Sequence, residues 1–220
     1  MLAIKSRTML EDISGEQIKE QFKSNSTLRM VTIVVGGLIV LVVGYFLYQQ
    51  FIAKPANEKS KDATWVALNH IQKDSTDMAI EELNLQVDKF DGKVGGEVSQ
   101  FLLAGELMKK GEFKQAIKTL DGTNLDDTYG PSMVLGLKGD AYSELANYSE
   151  AILNYFEAAE VNPNDLTTPM YLMKAGLCLE ELNNFGKATE TYERIKNEYP
   201  SFASQKQIDK YIARTGNKKN

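Results

Sequence analysis

The chain is poor in the residues from which disulfides and metal sites are built. Its 220 residues include one cysteine, Cys178, and one histidine, His70. A single cysteine cannot form a disulfide within the chain, so cysteine usage leaves the cellular compartment open. One histidine cannot supply a metal site alone, and we expect no metal site. Cys178 lies between Leu177 and Leu179, which favours a small buried side chain over a reactive thiol.

The sequence also lacks the patterns that carry catalysis or nucleic-acid binding. It contains no Ser/His/Asp set, no glycine-rich phosphate loop and no paired-cysteine motif. We therefore expect neither an enzyme nor a bound cofactor. The part of the chain after position 53 carries 20 Lys/Arg and 26 Asp/Glu without any basic run. Because phosphate binding needs clustered Lys/Arg, this acidic balance argues against a nucleic-acid partner.

One long apolar run, MVTIVVGGLIVLVVGYFLYQQFIA, occupies residues 30–53. It contains no Asp, Glu, Lys, Arg or His. A helix of about 20 apolar residues crosses a hydrocarbon core of roughly 30 Å. A buried helix of a soluble core is the alternative, but such helices rarely run this long without a charge. The run predicts a transmembrane helix, with Tyr45, Phe46, Tyr48 and Phe51 as an aromatic interface belt.

The residues around the run favour an uncleaved anchor over a signal peptide. A 29-residue tail precedes the run, and cleavage after Ala53 would place Phe51 where a small residue is needed. Within 20 residues of the run, three Lys/Arg precede it and four follow it, so the positive-inside rule does not decide the orientation. Because large domains translocate largely regardless of charge, we expect a cytoplasmic N-terminus and a domain outside the cytoplasm.

Two glycines in the apolar run, Gly37 and Gly44, lie seven residues apart and share a helix face. Small residues let helices approach closely in lipid, so these two predict a packing face for a membrane partner. Glycine is also frequent in spanning helices in general, which is the alternative interpretation. The chain as a whole predicts a cytoplasmic tail at 1–29, a transmembrane helix at 30–53, a polar linker at 54–62 and a repeat domain at 63–216.

The rest of the chain contains a repeated pattern. Three alanines, Ala116, Ala151 and Ala188, lie 35 and 37 residues apart, and each follows an aromatic residue by three positions. A small residue stands twelve positions before each alanine, and a larger one stands four positions after it. Small residues let two antiparallel helices pack at short range, and a proline ends the second helix. This pattern resembles the tetratricopeptide repeat, with copies at 97–130, 132–165 and 169–202.

A fourth, degenerate copy precedes these three, with Ala67, Ala79 and Leu83 at matching positions. Residues 205–214 place Ile208, Tyr211 and Ile212 on one face, which predicts the capping helix that such arrays need. Trp65 is expected to anchor the packing of the first helix pair. The predicted fold is all-α: a single N-terminal transmembrane helix, a tetratricopeptide-repeat solenoid of three clear repeats plus one degenerate repeat, and a C-terminal capping helix.

The first helices of stacked pairs line a concave groove. The register assigns to it an apolar, methionine-rich set that suits flexible apolar binding. It lacks the Lys/Asn/Arg set with which some tetratricopeptide domains hold a peptide carboxylate. We expect a groove for hydrophobic segments or a partner helix, unless the N-terminal helices or the cap cover it. The predicted binding residues are Phe101, Met108, Met133, Asp140, Met170, Met173 and Leu177.

The whole layout resembles the ancillary Sec translocon subunit family of bacterial inner-membrane proteins, and tetratricopeptide-domain proteins of Bacteroidetes-like bacteria. LTTPMYLMKAG at residues 166–176 and KYIAR at residues 210–214 carry the closer resemblance. It implies a protein of the inner membrane with a periplasm-facing scaffold domain. Its partners would be translocon subunits, a periplasmic chaperone or newly exported proteins. The resemblance transfers no catalytic residues.

Two other functions remain open at this level, because tetratricopeptide repeats serve many unrelated roles. One is a structural adaptor in envelope assembly or cell division. The other is an import receptor with a cytosol-facing repeat domain.

Overall fold

The computed structural model of the protein describes residues 15–218, and all regular secondary structure in this range is helical. The chain divides into two compact units at the bond between Pro55 and Ala56. The predicted all-α fold is confirmed. The predicted cytoplasmic tail at 1–29 falls partly outside the described residues.

The first unit contains the apolar helix. Helix α1 spans Gly15–Ser24 and α2 spans Ser26–Tyr48, followed by a π-helical turn at Gln49–Ala53. The side chain of Asn25 starts α2, because it accepts hydrogen bonds from the backbone N–H groups of Thr27 and Leu28 at 3.0 and 3.1 Å. No residue of α2 is buried. In length and composition this helix is long and apolar enough to cross a membrane.

The residues predicted as a polar linker, 54–62, are helical and form the first part of α3, Lys54–Gln72. Proline lacks an N–H, and its ring clashes with the carbonyl four residues earlier in a regular helix. The preceding turn is wider, with the N–H of Lys54 donating to the carbonyl of Gln49, and such a turn accommodates Pro55. Ser60 then fixes α3 by accepting the N–H of Gly95 at 3.0 Å. Of the predicted linker, Ala56 and the residues after it therefore belong to the second unit, while Lys54 and Pro55 belong to the first.

The second unit is built from antiparallel helix pairs that follow the predicted copies. The degenerate copy is the pair α3 and α4, and its Ala67, Ala79 and Leu83 are fully buried. The bounds of the remaining helices are α4 Thr76–Lys89, α5 Val94–Lys109, α6 Phe113–Asp121, α7 Gly130–Glu144, α8 Tyr148–Val161, α9 Thr167–Glu181, α10 Phe185–Glu198, α11 Pro200–Lys206 and α12 Ile208–Gly216.

Small residues set the distance between the helices of a pair. A Cβ placed on Gly139 of α7 would lie 2.7 Å from the Cδ1 atom of the Tyr155 ring on α8. Gly176 of α9 is covered in the same way by Tyr192 of α10. A larger residue at either glycine would force the paired helices apart. This contact explains the glycine twelve positions before Ala151 and before Ala188.

The interior is divided into two hydrophobic clusters. The first joins side chains from α3 to α7, and the second joins side chains from α8 to α12. Helix α7 serves both, because Val134 belongs to the first cluster while Leu135 and Tyr142 pack against the second. The predicted cap is confirmed as the α11–α12 segment, in which Ile208 is fully buried.

The expectation for Trp65 is wrong, because its side chain is 67% exposed. Helix α3 turns Ser60, Thr64 and Ala67 inward. Trp65 follows Thr64 directly and so points about 100° away from that face.

Candidate binding groove

Three of the seven predicted binding residues lie together. Met108 of α5, Asp140 of α7 and Leu177 of α9 line one open cavity of about 390 Å³. The cavity thus draws one predicted residue from the first helix of each of three successive pairs. Its other lining residues are Ser143, Glu144, Tyr155, Lys174 and Cys178.

The other four predicted residues differ in how far they reach solvent. Met133 is 41% exposed. Phe101 is half-buried and packs against the first hydrophobic cluster. Met170 and Met173 are also half-buried and pack against the second cluster. Of these four, Met133 therefore offers the most surface to a partner, while the others share their surface with the core.

An ion pair between neighbouring repeats lines the cavity. The Nζ atom of Lys174, on α9, donates to both carboxylate oxygens of Asp140, on α7, at 2.6 and 2.8 Å. The hydroxyl group of Tyr155, on α8, donates to the same carboxylate at 2.6 Å. Asp140 is therefore held by three hydrogen bonds and its charge is balanced by Lys174. The cavity therefore combines the apolar side chains of Met108 and Leu177 with this ion pair and with the polar side chains of Ser143 and Glu144.

Two stacked tyrosine rings support the ion pair. The rings of Tyr155 and Tyr171 lie 6.4 Å apart with an interplanar angle of 16°. The Lys174 ammonium lies 5.7 and 5.8 Å from their centroids, within the range of cation–π attraction. Tyr171 also lies directly against Gly136, where a Cβ would overlap its ring. Helices α7 and α9 are thereby packed closely together.

Burial raises the pKa values of three side chains near the ion pair. Burial raises the pKa of Tyr155, and its hydrogen bond to Asp140 raises it further. Burial also raises the pKa of Tyr171, to about 12. Both phenols stay protonated at neutral pH, so Tyr155 acts as the donor and Asp140 as the acceptor. Burial raises the pKa of the Cys178 thiol as well, and this side chain is only 5% exposed, as the sequence predicts.

Sequence reasoning missed Lys174, Tyr155 and Tyr171 as parts of the groove. A signal for Lys174 was present, since it is the single charge in the otherwise uncharged run at residues 166–179. A lone cation among apolar residues needs a partner when it is drawn toward a core. The pattern did not say which residue that partner is, because Asp140 lies 34 positions earlier.

The two glycines predicted to pack against a membrane partner have free space beside them in the structure. Apart from the adjacent residues and the backbone of its own helix, a Cβ at Gly37 or Gly44 would have no atom within 4 Å. Their role in packing against a membrane partner stays a prediction. Within residues 15–218 no group of three or more His, Cys, Asp or Glu side chains is arranged to hold a metal ion.

Comparison with known families identifies one repeat directly. Residues 134–165 match the tetratricopeptide repeat. The match covers most of α7 and all of α8, which is the middle copy predicted at 132–165. Together with the other helix pairs it supports a tetratricopeptide-repeat protein. No curated protein matches the chain.

The matched repeat indicates a protein-binding role. Tetratricopeptide repeats are typically non-catalytic and bind other proteins, so the match supports a scaffold for protein–protein interaction. The groove in which Met108, Asp140 and Leu177 meet lies on the first helices of the pairs, which is the face predicted for binding.

Proposed function

We propose that the protein is a membrane-anchored scaffold whose repeat groove binds apolar segments of other proteins. The apolar helix α2 anchors it in the bacterial inner membrane, with the N-terminus in the cytoplasm and the repeat domain in the periplasm. There it assists the Sec translocon and periplasmic chaperones with newly exported proteins. The sequence resemblance to ancillary translocon subunits supports this placement, and the uncharged composition of the span supports the anchor.

The cavity between three successive repeats carries the binding part of the proposal. Its walls include Met108 and Leu177, and the Leu177 side chain is 39% exposed. An apolar side chain from a partner would bury this surface, at about 25 cal/mol for each Å² removed from water. Lys174 keeps one N–H donor beyond the two that it gives to Asp140, and this N–H can donate to a backbone carbonyl of the partner.

Site-specific photocrosslinking in living cells tests the groove. A photoreactive residue at Met133 or Leu177 is expected to capture translocon subunits, a periplasmic chaperone or exported proteins, identified by mass spectrometry. The matched control is Leu153 of α8, which is 61% exposed but lies on a second helix. Equal capture from all three positions, or none from the groove, contradicts groove binding. If capture occurs only from Gly37 or Gly44, the span is the recognition element.

A reporter fused after Asn220 tests the orientation independently. A periplasm-active reporter is expected to work and a cytoplasm-active reporter to fail. The opposite result would favour a cytosol-facing import receptor. Separately, localisation of the protein and its partners at the division site would favour an envelope adaptor.

A further inference from the structure

Charge is distributed unevenly along the repeat domain. Residues 203–220 contain five Lys/Arg and one Asp, whereas residues 54–202 contain 15 Lys/Arg and 25 Asp/Glu. The basic residues therefore concentrate at the cap, on a domain that is otherwise acidic.

The basic side chains of the cap surround a second open cavity, also of about 390 Å³. Lys206 ends α11, while Lys210 and Arg214 follow four and eight positions later on α12. Gln207 joins the two helices with a left-handed backbone at φ 53°, which turns α12 so that all three cations face one space. The ring of Tyr211 completes the lining.

Arg214 and Tyr211 form a fixed wall of this cavity. The Arg214 guanidinium donates to Glu180 at 2.6 Å, and Glu180 also accepts the hydroxyl of Tyr192 at 2.8 Å. The Cζ atom of Arg214 lies 4.8 Å from the centroid of Tyr211, whose ring packs 5.3 Å from that of Tyr192. These contacts restrain both side chains before a ligand binds, which lowers the entropic cost of binding against them.

The ammonium groups of Lys206 and Lys210 can pair with a ligand, and that of Lys206 also lies 6.0 Å from the centroid of the Phe202 ring. Both side chains are exposed, and neither forms an ion pair with any residue in the described range 15–218. The nearby Asp209 is engaged by Lys196 at 2.6 Å, and Glu180 is engaged by Arg214. Two ammonium groups therefore stand beside a cavity in which the neighbouring carboxylates are already paired.

We propose that this cap cavity binds an acidic peptide segment of a partner protein. Carboxylates of the segment pair with Lys206 and Lys210. This site lies on the cap, apart from the repeat groove, and does not depend on ligand binding there.

Two observations favour a peptide over an anionic lipid surface. The apolar side chains of α12 turn inward, with Ile208 fully buried, and no large hydrophobic side chain from 183 to 218 is exposed for insertion into lipid. The excess of carboxylates over residues 54–202 would also be repelled by an extended anionic surface. A short peptide experiences only the charges within a Debye length, about 8 Å at physiological salt.

Binding of fluorescein-labelled hexaglutamate to the full chain in phosphatidylcholine nanodiscs tests the proposal by fluorescence anisotropy. The double variant Lys206→Glu/Lys210→Glu is expected to weaken binding about tenfold. The matched control is Lys114→Glu/Lys118→Glu, which reverses two exposed lysines four residues apart on α6 and changes the net charge equally. The control is expected to bind within about twofold of the parent chain. Circular dichroism confirms that both variants stay folded.

Several outcomes would overturn the proposal. These are no binding of hexaglutamate by the parent chain, unchanged binding by the cap variant, or an equal loss in the cap variant and the control. Phosphatidylglycerol vesicles provide the lipid arm of the experiment. If Lys206 and Lys210 are needed for the vesicles but not for hexaglutamate, the cap recognises a lipid surface instead. Crosslinking from Met133 is expected to persist in the cap variant, so failure of this site is separable from failure of the groove.

Discussion

The hydroxyl group of Tyr155 lies 2.6 Å from the carboxylate of Asp140 and donates to it. This hydrogen bond connects the second helix of the middle repeat to its first helix. Lys174 of the next repeat forms an ion pair with the same carboxylate. One acidic side chain therefore connects α7, α8 and α9. The groove surface and the packing of the repeats are coupled through it.

Asp140→Asn tests the strength of this connection. The amide oxygen can still accept from Tyr155, but the attraction to Lys174 is lost. The side chains of Lys174 and Asp140 are 35% and 31% exposed, so solvent screening limits the expected loss in unfolding free energy to about 1 kcal/mol. Urea unfolding measures it. Glu58→Gln is the control, because Glu58 and Lys61 form an exposed pair worth less than about 0.5 kcal/mol. Equal effects of the two substitutions would show that the Asp140 pair stabilises the fold no more than an exposed ion pair does.

Substitution by alanine is expected to have opposite effects on stability at Gly136 and at Gly105. Gly136→Ala would drive a Cβ into the ring of Tyr171, which is 4% exposed and stacked on Tyr155. Such overpacking is expected to cost about 1–3 kcal/mol. A Cβ at Gly105 in the interior of α5 would meet nothing within 4 Å, so Gly105→Ala is expected to stabilise the helix by about 0.5–1 kcal/mol. Thermal unfolding of the two variants compares them directly, and a rise in Tm for Gly136→Ala would contradict the close approach.

Alkaline pH is expected to destabilise the repeat domain. Burial raises the pKa of Tyr171 to about 12, above the ordinary value of about 10 for an unfolded chain. Between these two pKa values the folded state keeps the phenolic proton of Tyr171, which the unfolded state has lost. The unfolding free energy therefore has its full value below about pH 10 and falls as the pH rises toward the folded pKa. Urea unfolding at a series of pH values measures this fall.

Tyr171→Phe is expected to make the alkaline fall in unfolding free energy smaller. Tyr129→Phe is the control, because Tyr129 is 46% exposed, and this variant should keep the full fall. An identical pH profile for both variants would exclude Tyr171 as a source of the effect.

Charges placed in the centre of α2 test its role as an anchor. The double variant Val40→Arg/Val43→Arg is expected to move the chain from the carbonate-resistant membrane pellet to the soluble fraction. Each arginine costs about 2.5–3.5 kcal/mol at the middle of a spanning helix. Gln49→Arg/Gln50→Arg is the control, because charges near the end of the run can reach the headgroups and should leave the chain in the pellet. Solubilisation of both variants, or of neither, would contradict the proposed span.

The repeat register was predictable because it follows from the sizes of a few side chains. Ala104, Ala116, Ala151 and Ala188 are all fully buried, and helices can close on one another only where such small residues recur. The capping helix was predictable for a similar reason, since Ile208, Tyr211 and Ile212 recur at helical spacing.

What sequence reasoning missed depends on contacts between distant residues. The polarity of residues 54–62 suggested a linker, but Ser60 packs so closely against Gly95 that a Cβ on that glycine would overlap the backbone of Ser60. The pairing of Lys174 with Asp140 likewise joins residues 34 positions apart. Periodicity shows which face of a helix is apolar, but it does not show which polar side chains meet across repeats.

The division of the interior into two clusters has a consequence for local opening. Nearly all contacts of the first cluster lie within α3–α7, and those of the second centre on α8–α12. Amide protons of α4 and α6 should therefore exchange with solvent through an opening that leaves α8 and α10 protected. Helix α7 belongs to both clusters, so it is the boundary at which such an opening stops.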